Sequence, residues 1–316
     1  MKKINPVFMF GFERSGTTLL SMMIGAHREI AVPLSPTGLW YRYDRRLPEY
    51  GGLVNAGSVD RLLKDLLLEE RIKLWDVDFT ESELLPLIEK SSYASVVAAF
   101  HQAYAQKKGK SHWASNDIST LYSMDRANAW FPHAKFLHIV RDGRDVALSH
   151  ETYKYGLSTT TEVADHWVHD LHTNIKMGAM IGPVRYKVVR YEDLVLEPEN
   201  TLQAICTFIG IEYCDDMLKY PKMVEEKVPE DRRFLWPTLN QPPNRSNAYR
   251  WKTMMHTNKR IAFEWRANAL LRQLGYEAYE KIPKSIGANF YDFWCYLGQG
   301  GRIRRIQEKL KLKSHK

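Results

Sequence analysis

A three-layer α/β fold, a parallel sheet held between layers of helix, is what this 316-residue sequence predicts. Three features carry the expectation. Val7-Phe8-Met9-Phe10 is apolar without alternation, as in a strand buried on both faces of a parallel sheet. Apolar runs of that kind then alternate with helical periodicities along the first two thirds of the chain. The first strand passes into its helix through a glycine loop.

The elements follow in order. After the strand at Val7, a helix over Thr18 to Ala26 carries Leu19, Leu20, Met22, Met23 and Ile24, too apolar all round for a surface helix. Ile30-Ala31-Val32 before Pro33 is a short second strand. Amphipathic patterns near Val59 to Leu68 and Tyr93 to Tyr104 predict helices, with the stretch between them unassigned. His112 to Ser115 is a weak strand, and Phe136 to Val140 and Val184 to Tyr191 are stronger ones. Helices at Asp145 to Tyr153 and Thr201 to Ile209 follow those two strands. A long helix over Asn258 to Leu274, stopped by Gly275, closes a body expected to span residues 1–282. Residues 283–316 are expected to form an aromatic and basic tail, and the C-terminal extension of the fold is expected to be mostly helical.

Composition bounds the class. Hydrophobic residues at 44% and charged residues at 26% exclude collagen-like, low-complexity and disordered chains. No run approaches the roughly 18 apolar residues of a spanning helix, and Val7 to Phe12 is too short for a signal-peptide core. Cys206, Cys214 and Cys295 fit neither a disulfide framework nor a CxxC metal site. A cytoplasmic, reducing location is expected. Eleven histidines show neither HExxH nor paired spacing, so no metal site is expected.

Lys and Arg exceed Asp and Glu by 8, which favours anionic cofactors or acidic surfaces; no nucleic-acid partner is expected. Residues 300–316 hold seven basic residues against Glu308. With the aromatic run Asn289 to Leu297, this tail has two readings: an interfacial anchor giving peripheral contact with an anionic membrane, or an aromatic strap followed by a solvated end. The sequence sets no oligomeric state.

Gly11-Phe-Glu-Arg14-Ser15-Gly16-Thr17-Thr18 has strand before it and helix after it, the context in which loop amides and a helix N-terminus receive an anion. The alternative is a tight turn whose glycines serve geometry alone. The spacing is that of a Walker A loop, but Thr17 stands where an NTPase has its lysine, and Arg14 is the available cation. A second segment, Phe136 to Ser149, puts Arg141 at the end of a buried strand and Ser149 on the following helix. Taken alone, Arg141 and Asp142 read as a surface ion pair and Ser149 as an exposed helix residue.

Together the two segments carry a resemblance. Glu13 to Leu20 resembles the 5′-phosphosulfate loop of sulfotransferases that use 3′-phosphoadenosine 5′-phosphosulfate (PAPS), and the segment from Arg141 to Ser149 resembles their 3′-phosphate site. Val188 to Leu194 is similar to the family's stretch with a tyrosine beside the adenine, at Tyr191. Arg245 to Lys252 is similar, more loosely, to the late nucleotide loop, without its glycine. The resemblance implies a P-loop-type fold, PAPS as co-substrate and no required metal. It also implies sulfuryl transfer to a hydroxyl or amine acceptor. The implied cofactor-binding residues are Arg14, Ser15, Gly16, Thr17, Thr18, Arg141, Ser149, Tyr191 and Arg245, and Arg14 also stabilises the group in flight.

Two departures concern the general base. Where many relatives carry a glutamate this chain reads Ser35-Pro36, and where a lysine is frequent it has Asn116. Asp117 is the first candidate base, followed by His112 and Asp44; Asp117 reads equally as a helix cap. Trp40 to Arg46 combines aromatic and basic residues, suggesting an acidic or glycan acceptor, or else an aromatic core with a solvated basic rim, while an anchoring tail would suit a lipid-linked sugar. A P-loop nucleotide-dependent kinase and a nucleotide-binding protein without a base are the rival functions.

Overall fold

The computed structural model describes residues 5–33, 38–53, 55–153, 156–227, 230 and 239–281. Ser35, Pro36 and the 283–316 tail lie outside the described residues. The chain divides into two compact units, Met1–Val140 with Thr173–Arg245, and Arg141–His172 with Ser246–Lys316.

The first unit holds the whole sheet. Its strands are β1 (Val7–Phe10), β2 (Ile30–Ala31), β3 (His112–Ser115), β4 (Lys135–Val140) and β5 (Tyr186–Arg190), all parallel, in the order β2-β3-β1-β4-β5. The weak strand at His112 is real because it is ladder-bonded on both sides, pairing Ile30 with His112 and Val7 with Ala114. Helices α1 (Thr17–Gly25), α2 (Leu39–Arg42), α3 (Ala56–Leu67), α4 (Glu81–Leu84), α5 (Tyr93–Lys107) and α6 (Met124–Trp130) precede β4. In chain order, α7 (Gly143–Glu151) and α8 (Thr160–Ile181) then separate β4 from β5, followed by α9 (Tyr191–Leu196), α10 (Pro198–Ile209) and α11 (Pro221–Lys227). The 22-residue α8 is an element that the apolar periodicity alone did not bring out.

β1 is the hub of the sheet. All four of its residues are fully buried. Phe8 stacks on Phe136 at 5.5 Å between ring centroids and meets the edge of Trp40 at 5.3 Å. Because α1 leads from β1 toward β2 while β4 and β5 lie on β1's other side, the carboxyl ends of β1 and β4 flank the topological switch point. Open α/β sheets bind ligands at such a point.

The second unit contains α7, α12 (Trp251–Met254) and α13 (Thr257–Gln273). Its centre is ionic as well as apolar. Arg144, fully buried, pairs at 2.7 Å with Asp142 and at 2.7 Å with Glu264, and its guanidinium lies 3.5 Å from the Trp251 ring centroid. Asp142 is therefore no surface partner of Arg141; it caps α7, accepting the Arg144 N–H at 3.0 Å.

Candidate functional site

The loop after β1 owes its shape to two close approaches. A Cβ on Gly11 would lie 2.4 Å from the Ile139 carbonyl oxygen, so only glycine lets the end of β1 pass β4. Gly16 is left-handed at φ 97°, and a Cβ there would lie 2.4 Å from Cδ2 of Tyr191. The two positions serve packing and conformation, and in doing so turn the chain directly into α1.

That turn leaves an electropositive end. Gly16 is the N-cap of α1 and supplies no capping side chain, and the first turn carries no acidic residue, so the first amides remain donors. Ser15 is fully buried and its hydroxyl has no hydrogen-bond partner among the described residues. A buried donor in that state costs free energy unless something accepts from it. Arg14 holds a left-handed φ of 67°, a conformation that costs a non-glycine residue of order 1 kcal/mol and that clusters at ligand sites. Thr17 and Thr18 are half-buried in the first turn, and Glu13 is exposed. An anionic phosphate or sulfate group fits this arrangement of donors.

Tyr191 is brought to the loop. Almost fully buried at the start of α9, its ring lies against Gly16, which ties the end of β5 to the anion loop. Arg245 is exposed and donates to the Leu196 carbonyl at 2.7 Å, at the far end of the same short helix.

The candidate bases separate by position. Asp117 follows β3 at its carboxyl end, the end of the sheet that carries the loop. It caps a 3-10 turn, Ile118–Tyr122, by accepting the Ser119 N–H at 3.0 Å through Oδ1, and it takes the Gly38 N–H at 2.7 Å through Oδ2. His112 is at the wrong end. The register sets it two residues before Ala114, the partner of Val7, so roughly 20 Å of strand separates its level from Gly11. There its Nε2 lies 3.9 Å from Glu29, and burial pushes its pKa down. Asp44 is taken up in an ion pair with Arg126.

The acceptor cluster is also revised. Trp40 is fully buried, donating to Ser115 Oγ at 2.9 Å and stacked on His101 at 5.4 Å. Tyr43 is buried as well, its hydroxyl donating to Glu69 at 2.9 Å. These rings are core, and Arg46, paired with Glu49 at 2.8 Å, belongs to the solvated rim.

In the second unit, Arg141 is nearly buried and donates through Nη2 to the Asn247 carbonyl at 2.8 Å. Ser149 is half-buried on α7. One residue missed in the sequence stands beside Arg141: Asp145, at 3.7 Å from Nη2, which accepts at 2.7 Å the backbone N–H of Trp251 from the late-loop segment. The signal was available in Arg-Asp-Gly-Arg-Asp after a strand whose last five residues are apolar apart from His138, since charges that dense at a buried strand end require buried partners.

Among the described residues no group of three His, Cys, Asp or Glu is placed to hold a metal ion, and no helix is long and apolar enough to cross a membrane.

A family model described as the sulfotransferase family matches residues 6–216. Protein-tyrosine sulfotransferase 2 of Gallus gallus is 27% identical over 228 residues, covering 71% of this chain and 56% of that protein. The protein-tyrosine sulfotransferase of Drosophila melanogaster is 27% identical over 231 residues, covering 70% and 41%. The chain spans about half the length of the curated relatives it matches. Among solved structures, the sulfotransferase domain from the Synechococcus PCC 7002 olefin synthase aligns with a TM-score of 0.62 at 20% identity, over 88% of this chain and 98% of that one. The sulfotransferase domain from the curacin biosynthetic pathway aligns at 0.58 and 18% identity, over 88% and 100%. These likenesses support the three-layer fold.

Proposed function

Since the chain belongs to the sulfotransferase family, we propose that it transfers the sulfuryl group of PAPS to a hydroxyl acceptor by in-line displacement. The observation that carries this reading is the loop itself: an uncapped α1 N-terminus, a buried Ser15 hydroxyl without a hydrogen-bond partner among the described residues, and Arg14 and Thr17 in place of a Walker lysine. PAPS supplies a sulfur bonded to a phosphate leaving group; the acceptor oxygen bonds to sulfur as that S–O bond breaks, and the acceptor proton passes to a base.

The chain's residues meet the charge that develops. Loop amides, the Ser15 hydroxyl and the α1 N-terminus hold the 5′-phosphosulfate, and Arg14 with the Thr17 and Thr18 hydroxyls receives the negative charge growing on the leaving phosphate. Tyr191, by packing on Gly16, sets the loop and lines the adenine. Arg141 and Ser149 take the 3′-phosphate, the group that distinguishes this donor from ATP. Arg245, bonded to Leu196, is the weakest of the assigned contacts. Asp117 is the proposed base: it is the candidate at the loop end of the sheet, directly after the carboxyl end of β3.

A peptide tyrosine is the leading acceptor class, because the relatives named above are protein-tyrosine sulfotransferases. The glycan reading rested on Trp40 and Tyr43, whose rings are turned into the core. Transfer of labelled sulfate from PAPS to tyrosine peptides, simple phenols and sugars tests the proposal. Label is expected on a hydroxyl acceptor. Tight nucleotide binding with no transfer to any acceptor would identify a binding protein, and magnesium-dependent ATP consumption would identify a kinase.

A further inference from the structure

Asp145 stands on the first turn of α7, almost fully buried. Its two oxygens have different employment. Oδ1 accepts the Trp251 backbone N–H at 2.7 Å, while Oδ2 has no hydrogen-bond partner among the described residues and lies 3.7 Å from Arg141 Nη2. That same Nη2 donates to the Asn247 carbonyl at 2.8 Å. The neighbouring carboxylate, Asp142, is committed elsewhere, with both oxygens on Arg144 at 2.9 and 2.7 Å.

A buried carboxylate oxygen with no donor, short of hydrogen-bond range from a buried guanidinium, is an ion pair left partly open. We propose that Asp145 is a positioning residue for Arg141: its Oδ2 is the seat onto which Nη2 closes, turning the outer edge of the guanidinium toward the 3′-phosphate of the bound nucleotide. This rests on the reading of the chain as a PAPS-dependent enzyme. Arginine recognises phosphate through a fixed planar fork, so an inner partner that sets the plane decides how well the outer N–H groups are aimed. Burial raises the Asp145 carboxyl above the ordinary carboxylate range, and the Arg141 charge, with the backbone amides of Trp251 and Arg250, offsets part of that rise.

The surrounding backbone is built to hold this pair. Asn247 and Trp251 bracket a segment in which Tyr249, a bulky residue, is left-handed at φ 59°. One end of the segment is bonded to Arg141 and the other to Asp145. A residue kept in such a conformation has surroundings that over-determine it.

The test compares adenosine 3′,5′-bisphosphate with adenosine 5′-monophosphate by calorimetry, two ligands that differ only in the 3′-phosphate. Wild type is expected to prefer the bisphosphate by about tenfold or more. Asp145→Asn keeps an oxygen for the Trp251 N–H; it is expected to bind the monophosphate within about twofold of wild type and to lose most of the bisphosphate preference. In an Arg141→Ala background, Asp145→Asn is expected to change nothing further, the non-additivity of two residues acting as one. Should D145N not fold by circular dichroism, Asp145→Glu, which keeps the charge but displaces it, carries the same comparison. Equal weakening of both nucleotides, or additivity with Arg141→Ala, would overturn the proposal. A wild-type protein that binds both nucleotides alike would instead overturn the functional reading beneath it.

Discussion

Arg14 serves two ends that a single substitution separates. Its left-handed backbone costs stability, whereas its guanidinium is assigned to the leaving phosphate. Arg14→Gly is therefore expected to unfold at or slightly above the wild-type temperature while kcat for sulfate transfer falls by roughly 100- to 1000-fold, the cost of removing one transition-state charge donor. Thermal melts and initial rates on one preparation check both halves. Asp117 separates in a similar way. Asp117→Asn retains an acceptor for the Ser119 N–H, so the cap survives, but it cannot take a proton. Its amide nitrogen cannot accept the Gly38 N–H that Oδ2 takes in the wild type, so the melting point should fall by a few degrees, and kcat should drop by roughly 100-fold or more. An unchanged kcat would leave Asp117 with only its capping role.

The loop between β1 and α1 works as an element because its glycines let other chain segments come close. Gly16→Ala would set a Cβ 2.4 Å from the Tyr191 ring at a left-handed position, and is expected to destabilise the fold by about 2–4 kcal/mol. Urea unfolding of G16A and of the G16A/Y191A pair checks the origin of the loss, since removing the ring should restore part of it. What was readable in the sequence also sorts by element. β1 and β4 were legible because burial on both faces writes a continuous apolar run at Val7 to Phe10 and one broken only by His138 at Phe136 to Val140, and the loop because glycine has few other reasons to stand at a strand end. β3 was barely legible, since His112 and Ser115 are polar and the strand is specified by the ladders on either side of it. The charge density of Arg141 to Asp145 signalled buried partners, but not which ones: Glu264, which pairs with Arg144, stands 120 residues further along the chain. Likewise Trp40, adjacent to basic residues, read as a possible acceptor contact, whereas its partners Phe8, Trp113 and Phe131 come from other elements.

At the scale of the whole molecule, buried histidines tie stability to pH. Burial holds His138, stacked on Phe10 at 4.8 Å, down at about 3, and holds His101 down at about 4. An unfolded histidine takes its proton near 6.5, so between that pH and the folded values the unfolded chain binds more protons than the native one. Stability is thus complete above about pH 6.5 and is lost as the pH falls below it, by up to about 1.4 kcal/mol per pH unit for each fully buried imidazole. His138→Phe should flatten the fall between pH 7 and 5, read as urea midpoints at the two values. An identical slope in variant and wild type would show that His138 does not contribute. Every catalytic and binding role proposed for these residues requires a nucleotide site tuned to a sulfated, 3′-phosphorylated donor. The most direct measurement is calorimetric titration of adenosine 3′,5′-bisphosphate and of ATP into the wild-type protein in the presence of a chelator. The bisphosphate should bind at least about tenfold more tightly and without any need for magnesium. Equal affinity for the two nucleotides, or tight binding confined to ATP with magnesium, would contradict it.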